Sequence, residues 1–89
     1  MRIRDVLPTL NNFENGNYSQ AEVTGLVIGL NQLFGERLNK SENTDDEIIL
    51  NEILDTIQDD IKHLESNRIS KEELNDIMLF YHGCRLFLI

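Results

Sequence analysis

The chain has 89 residues and a formal net charge of −8, with 40% hydrophobic and 27% charged residues. This length suits one domain over residues 1–89, and it excludes a two-lobed enzyme, a barrel of alternating strands and helices, and a doubly wound sheet. The excess of acids, 16 against 8 basic residues, argues against direct binding of nucleic acid.

Cysteine content and hydropathy predict a cytoplasmic protein with no membrane partner. Cys84 is the single cysteine, whereas small secreted domains usually carry several in disulfides. Polar residues and Pro8 interrupt the first 12 residues, so we do not expect a signal peptide. No apolar run approaches the roughly 18–20 residues that span a bilayer.

A short first helix is predicted over about residues 6–13. Asp5 precedes it as the candidate cap. Pro8 would lie in its first turn, where a missing backbone N–H costs little. The polar residues 14–18 then connect it to the second predicted helix.

Three further helices each begin with a capping box. In this pattern a hydroxyl accepts a hydrogen bond from the third helical N–H, and a Glu side chain bonds back to the N–H of the cap. The matches are residues 19–22, 44–47 and 70–73, with Ser19, Thr44 and Ser70 as the caps. A hydrophobic staple is also predicted at two of them, joining Tyr18 to Val23 and Ile69 to Leu74.

Apolar residues follow each cap at three- and four-residue spacing, which predicts helices over about residues 20–38, 45–64 and 71–82. Together with the first helix they predict an all-α four-helix bundle with short polar connections. The apolar stripes consist of Val23, Leu26, Val27, Leu30, Leu33, Phe34 and Leu38; Ile49, Leu50, Ile53, Leu54, Ile57, Ile61 and Leu64; and Leu74, Ile77, Met78 and Tyr81.

Three glycines lead to further predictions. Gly25 and Gly29 lie one turn apart in the second predicted helix. Because glycine weakens a helix, this pair indicates either a close approach of another helix or a notch for a partner's side chain. Gly83 is expected to end the last helix, which would leave residues 84–89 as an apolar tail.

No catalytic motif is evident, since the chain lacks a Gly-rich phosphate loop, a paired-cysteine motif and a nucleophile elbow. The soft metal ligands His63, His82 and Cys84 are too few and poorly spaced for zinc. Residues 11–22 and 62–73 resemble EF-hand loops in part, but they lack carboxylates at the first and third ligand positions. We therefore expect a non-enzymatic protein without a metal or cofactor.

The acidic segment between Lys40 and Lys62 carries the functional prediction, because no basic residue lies between them. At about 100° per residue, four of its acids share one face of the predicted third helix. Such a face either keeps a small protein soluble or steers a basic protein partner. The second interpretation makes the candidate partner-binding residues Glu42, Asp45, Asp46, Glu52, Asp55, Asp59 and Asp60, of which Asp45, Glu52, Asp55 and Asp59 form the shared face.

Residues 13–23, the acidic helix and residues 68–74 together resemble the small helical immunity proteins that pair with colicin-type toxins. The resemblance concerns the pattern of helix starts and acids, and no site residue follows from it. It implies an inhibitor of a basic protein such as a nuclease or another nucleic-acid-handling enzyme. Immunity proteins, antitoxins and phage counter-defence proteins are inhibitors of this kind.

A second class of function rests on the apolar excess near the C-terminus, in residues 77–81 and 86–89. A helix that is apolar on more than one side is buried on more than one side. Either a central position in the bundle or a homodimer interface would bury such a helix on more than one side. The alternative function is therefore a homo-oligomeric regulatory adaptor of transcription or signalling that binds partners through its C-terminal helix.

Overall fold

The structure, a computed structural model, describes residues 18–88. Three α-helices follow one another: α1 (Gln20–Asn39), α2 (Thr44–Ser66) and α3 (Lys71–Cys84). A short 3-10 helix, Arg85–Leu88, completes the described range, which contains no strand. The predicted all-α class is confirmed for these residues. The predicted helix over residues 6–13 lies outside them.

Two of the predicted helix caps are observed. The hydroxyl of Ser19 accepts from the backbone N–H of Glu22 at 3.2 Å, and the Glu22 carboxylate accepts from the N–H of Ser19 at 3.3 Å. This is a complete capping box. At the start of α3 the hydroxyl of Ser70 accepts from the N–H of Glu73 at 3.2 Å. The Glu73 carboxylate instead lies against His63.

The predicted cap of α2 is wrong by one residue. Asn43 is the cap, because its Oδ1 accepts from the backbone N–H of Asp45 at 2.9 Å. Thr44 is the first residue of the helix. The N–H of Asn43 in turn donates to the hydroxyl of Ser41 at 3.3 Å, which orients the cap. Asn is among the strongest capping residues, so the neighbouring amide replaces the Thr hydroxyl in this role.

The core forms where α1 packs along α2, while α3 and the 3-10 helix contact α1 over shorter stretches. The predicted apolar stripes supply most of this core, with Leu38, Leu54 and Ile61 only partly buried at its edge. Ile49 departs from the prediction, since 38% of it is exposed. The largest fully buried side chains are Tyr81, Phe34, Leu30, Leu50, Ile57, Met78, Val23 and Val27.

The C-terminal end also differs from the prediction. Gly83 lies inside α3, and no glycine of the described residues has a positive φ. The helix passes directly into the 3-10 turn, where Leu88 is 4% exposed. Residues 84–88 therefore form helical structure rather than a tail, because continued right-handed winding carries Leu88 onto the core. The guanidinium of Arg85 donates to the carbonyl of His82 across this junction.

The two glycines Gly25 and Gly29 of α1 differ in burial. Gly29 is buried, whereas Gly25 is exposed and a Cβ added there would meet nothing within 4 Å. Gly25 therefore marks no close contact with another helix of residues 18–88.

The amide side chain of Gln20 joins the start of α1 to the end of α2 and to the connection that leads into α3. Its Nε2 donates to the carbonyls of Leu64 at 2.7 Å and Asn67 at 2.6 Å, and its Oε1 accepts from the N–H of Ile69 at 2.9 Å. Leu64 is in the last turn of α2, and Ile69 immediately precedes the cap of α3. The start of α1 is thereby bonded to the turn that connects α2 to α3.

Candidate functional site

Four carboxylates lie along the outer face of α2. Asp45, Glu52, Asp55 and Asp59 are all exposed, while the opposite side of the helix is buried through Leu50, Ile53 and Ile57. Within residues 18–88, none of these four carboxylates lies within 4 Å of a basic side-chain nitrogen. We call Asp45, Glu52, Asp55 and Asp59 the acidic face. Glu42, also exposed, lies in the connection just before it.

Asp46 lies at the edge of α2 that meets α1. Its Oδ2 is 3.9 Å from Nη2 of Arg37, and both side chains are about one-third exposed. A solvent-exposed pair at this distance contributes little to stability. Its effect is to neutralise part of the negative potential on that edge, so Asp46 contributes less to the surface charge than the acidic face does.

Asp60 has a role inside the fold. The hydroxyl of Tyr81, a fully buried residue of α3, donates to its Oδ2 at 2.5 Å. Burial first, and the hydrogen bond to Asp60 second, raise the pKa of Tyr81 above its ordinary value. The phenol therefore stays protonated at neutral pH and remains a donor. A hydrogen bond to an ionised acceptor is stronger than one between neutral groups, so Asp60 helps to hold α3 in place.

The junction of α2 and α3 includes the second EF-hand-like segment. Residues 62–66 belong to α2, and Glu73 belongs to the first turn of α3. The Oε1 of Glu73 is 3.0 Å from Nε2 of His63, whose Nδ1 is 3.1 Å from Nδ2 of Asn67. The segment is thus a helix end and a tight connection rather than an open loop. Residues 11–17 of the first EF-hand-like segment lie outside the described range.

The described residues offer no evident metal or nucleophile site. No group of three His, Cys, Asp or Glu side chains within residues 18–88 is arranged to hold a metal ion. Burial raises the pKa of the half-buried Cys84 thiol, which lowers its reactive thiolate fraction. Over the same range, no helix combines the length and hydropathy that crossing a membrane requires.

An apolar surface lies on α3 and the 3-10 helix. Leu79, Phe80 and Leu86 are 55%, 42% and 65% exposed, whereas Ile77 and Met78 are buried. Because these three side chains are exposed, a central position of α3 among residues 18–88 does not explain its apolar excess.

No protein-family model, curated protein or solved structure matches the chain. Function is therefore inferred from the surfaces of residues 18–88. Of the seven predicted partner-binding residues, the structure places four on one face of α2 and one, Glu42, in the connection just before that helix. The remaining two, Asp46 and Asp60, have partners within the chain.

Proposed function

We propose that this protein is a non-enzymatic inhibitor that binds a basic protein partner through the acidic face of α2. The partner class is a nuclease or another nucleic-acid-handling enzyme, and the biological setting is that of an immunity protein, an antitoxin or a phage counter-defence protein. The observation that supports the proposal is the acidic face itself: four exposed carboxylates, none of which lies within 4 Å of a basic side-chain nitrogen of residues 18–88.

The physical reason is the cost of the arrangement in the free protein. Like charges one helical turn apart destabilise a helix, and a cationic partner would remove that repulsion on binding. Enzymes that act on nucleic acid present cationic surfaces to phosphate groups. Carboxylates that cover such a surface would exclude the nucleic acid. Complementary potentials would also accelerate encounter between the two proteins.

The test is reversal of charge at Asp55 and Asp59. The partner is first isolated from the native host by crosslinking to the intact protein, and its association rate constant is then measured at low and high salt. We expect Asp55→Lys with Asp59→Lys to slow association by about tenfold or more at low salt, because steering accounts for factors of about 10–1,000 in on-rate. Wild-type association should slow with added salt, since exposed charges are screened over about 8 Å at physiological ionic strength.

The matched control is Glu72→Lys with Asp76→Lys, which makes the same charge change at exposed positions of α3. This control should reduce the association rate much less, and circular dichroism should show both variants to be helical. Equal rates for the wild type and the α2 variant would instead assign the acidic face to solubility alone.

The second candidate function is the homo-oligomeric regulatory adaptor, and the exposed Leu79, Phe80 and Leu86 favour it. Under this function, light scattering gives a dimer for the wild type and a monomer for Leu79→Asp with Leu86→Asp. A monomeric wild type at micromolar concentration contradicts it and leaves the inhibitor as the function that the surface supports.

A further inference from the structure

Two isoleucines interrupt the acidic outer side of α2. Ile48 is 55% exposed and Ile49 is 38% exposed. Both lie one turn from Asp45 on one side and one turn from Glu52 on the other. The pair is therefore an apolar spot with carboxylates at both ends. Helix propensity does not explain it, because Ile is a poorer helix former than Lys, Glu or Ala at an exposed position.

We propose that Ile48 and Ile49 are the apolar anchor of the partner-binding surface, and that they receive a basic amphipathic segment with an apolar side chain among its Lys and Arg residues. This inference rests on the function proposed above and specifies the chemistry of the partner. The charge around the anchor selects that occupant. A second copy of this chain, with its net charge of −8, and an anionic lipid surface would both be repelled by Asp45 and Glu52.

We expect the acidic face and the isoleucine pair to affect different rate constants of binding. Protein interfaces commonly have an apolar centre and a polar rim. Charged rim residues mainly set the rate of association, whereas buried central contacts set the rate of dissociation. The acidic face should therefore determine how fast the partner arrives, and the isoleucine pair how long it stays.

Two synthetic peptides of about 14 residues, long enough to form an amphipathic helix on contact, provide the probe. Both carry the same lysines at the same positions. One has a leucine stripe, and the other has alanine at every leucine position. We expect the intact protein to bind the leucine peptide about tenfold more tightly than the alanine peptide, because the extra apolar area leaves water at the anchor. Methyl NMR signals of Ile48 and Ile49 should shift on binding.

Ile48→Asn and its matched control Ile28→Asn complete the experiment. Ile28 is 49% exposed on α1, so the control makes the same change at similar exposure on another helix. We expect Ile48→Asn to remove most of the advantage of the leucine peptide by raising its dissociation rate, and Ile28→Asn to leave that advantage intact.

The outcomes separate this inference from the proposed function. If both peptides bind equally and Asp55→Lys with Asp59→Lys weakens both, the acidic face binds cations and the isoleucine anchor is wrong. Equal effects of Ile48→Asn and Ile28→Asn also overturn the anchor. If neither peptide binds at low salt, both the anchor and the acidic-face proposal fail.

Discussion

Gln20 shows how much a single polar side chain contributes to this small fold. Its amide makes three hydrogen bonds to backbone groups 44, 47 and 49 residues away. The two acceptors lie at the end of α2, where helical carbonyls lack partners within the helix. The donor is the half-buried N–H of Ile69, which would otherwise be left unpaired away from bulk water.

We expect Gln20→Ala to lower the free energy of unfolding by about 2–3 kcal/mol. Three hydrogen bonds of about 1 kcal/mol each are lost, and hydrogen bonds from water to some of the freed backbone groups offset part of that loss. Urea unfolding followed by circular dichroism measures it. The control is Gln32→Ala, because the Gln32 amide of the same helix reaches only the exposed Glu36 side chain at 3.4 Å. The control should change stability by less than about 0.5 kcal/mol. A similar change in both variants would mean that the three hydrogen bonds of Gln20 contribute no more to stability than the exposed bond of Gln32.

Among the helices, α2 supplies core residues on one side and the acidic face of the proposed function on the other. Its first turn holds Asp45, Asp46 and Glu47. Negative side chains there interact favourably with the helix dipole, so Asp45 is stabilising locally as well as part of the acidic face. The Asn43 cap adds a hydrogen bond at the same end.

The cap of α2 can be tested by comparing alanine substitutions at two neighbouring residues. Asn43→Ala should lower the free energy of unfolding by about 1 kcal/mol, because the N–H of Asp45 loses its acceptor. Thr44→Ala should cost less, since the Thr44 side chain is exposed and Thr44 lies inside the helix rather than at its cap. Thermal unfolding of the two variants measures the difference. A larger loss for Thr44→Ala would restore the Thr44 capping box that the sequence pattern predicts.

The whole molecule carries its charge at a cost to its own stability. A net charge of −8 on 89 residues produces self-repulsion in the compact state. The Arg37–Asp46 pair relieves little of it, because both side chains are exposed to solvent. Repulsion of this kind is reduced by salt.

Raising NaCl from low concentration to about 0.5 M should therefore increase the melting temperature of the wild type. Asp55→Lys with Asp59→Lys changes the net charge from −8 to −4, two units for each substitution. It should be more stable than the wild type at low salt by about 0.5–1 kcal/mol, and the difference should shrink as salt is added. The neutral variant Asp55→Asn with Asp59→Asn should fall between them. A reversed variant less stable than wild type at low salt would show that these carboxylates have a stabilising role in the fold.

The three helices of the described range could be predicted from the sequence because their signals are local. A cap acts on residues two or three positions away, and an apolar stripe repeats every three or four. The predicted helix starts therefore agree with the structure to within one residue, and two of the three caps are the predicted side chains. The exposure of the acidic face could be predicted for the same reason, since this face lies opposite a buried stripe on the same helix.

Tertiary contacts decided the rest, because they join residues that are distant in sequence. The bond from Tyr81 to Asp60 spans 21 residues and those of Gln20 span up to 49; no local pattern indicates them. Burial of Leu88 overrode the preference of Gly83 for a helix end and turned the predicted tail into a 3-10 helix. The shared core buries Ile77 and Met78 but leaves Leu79 and Phe80 exposed. The sequence by itself determined where helices form, whereas the core that they share decided which of their side chains remain available to a partner.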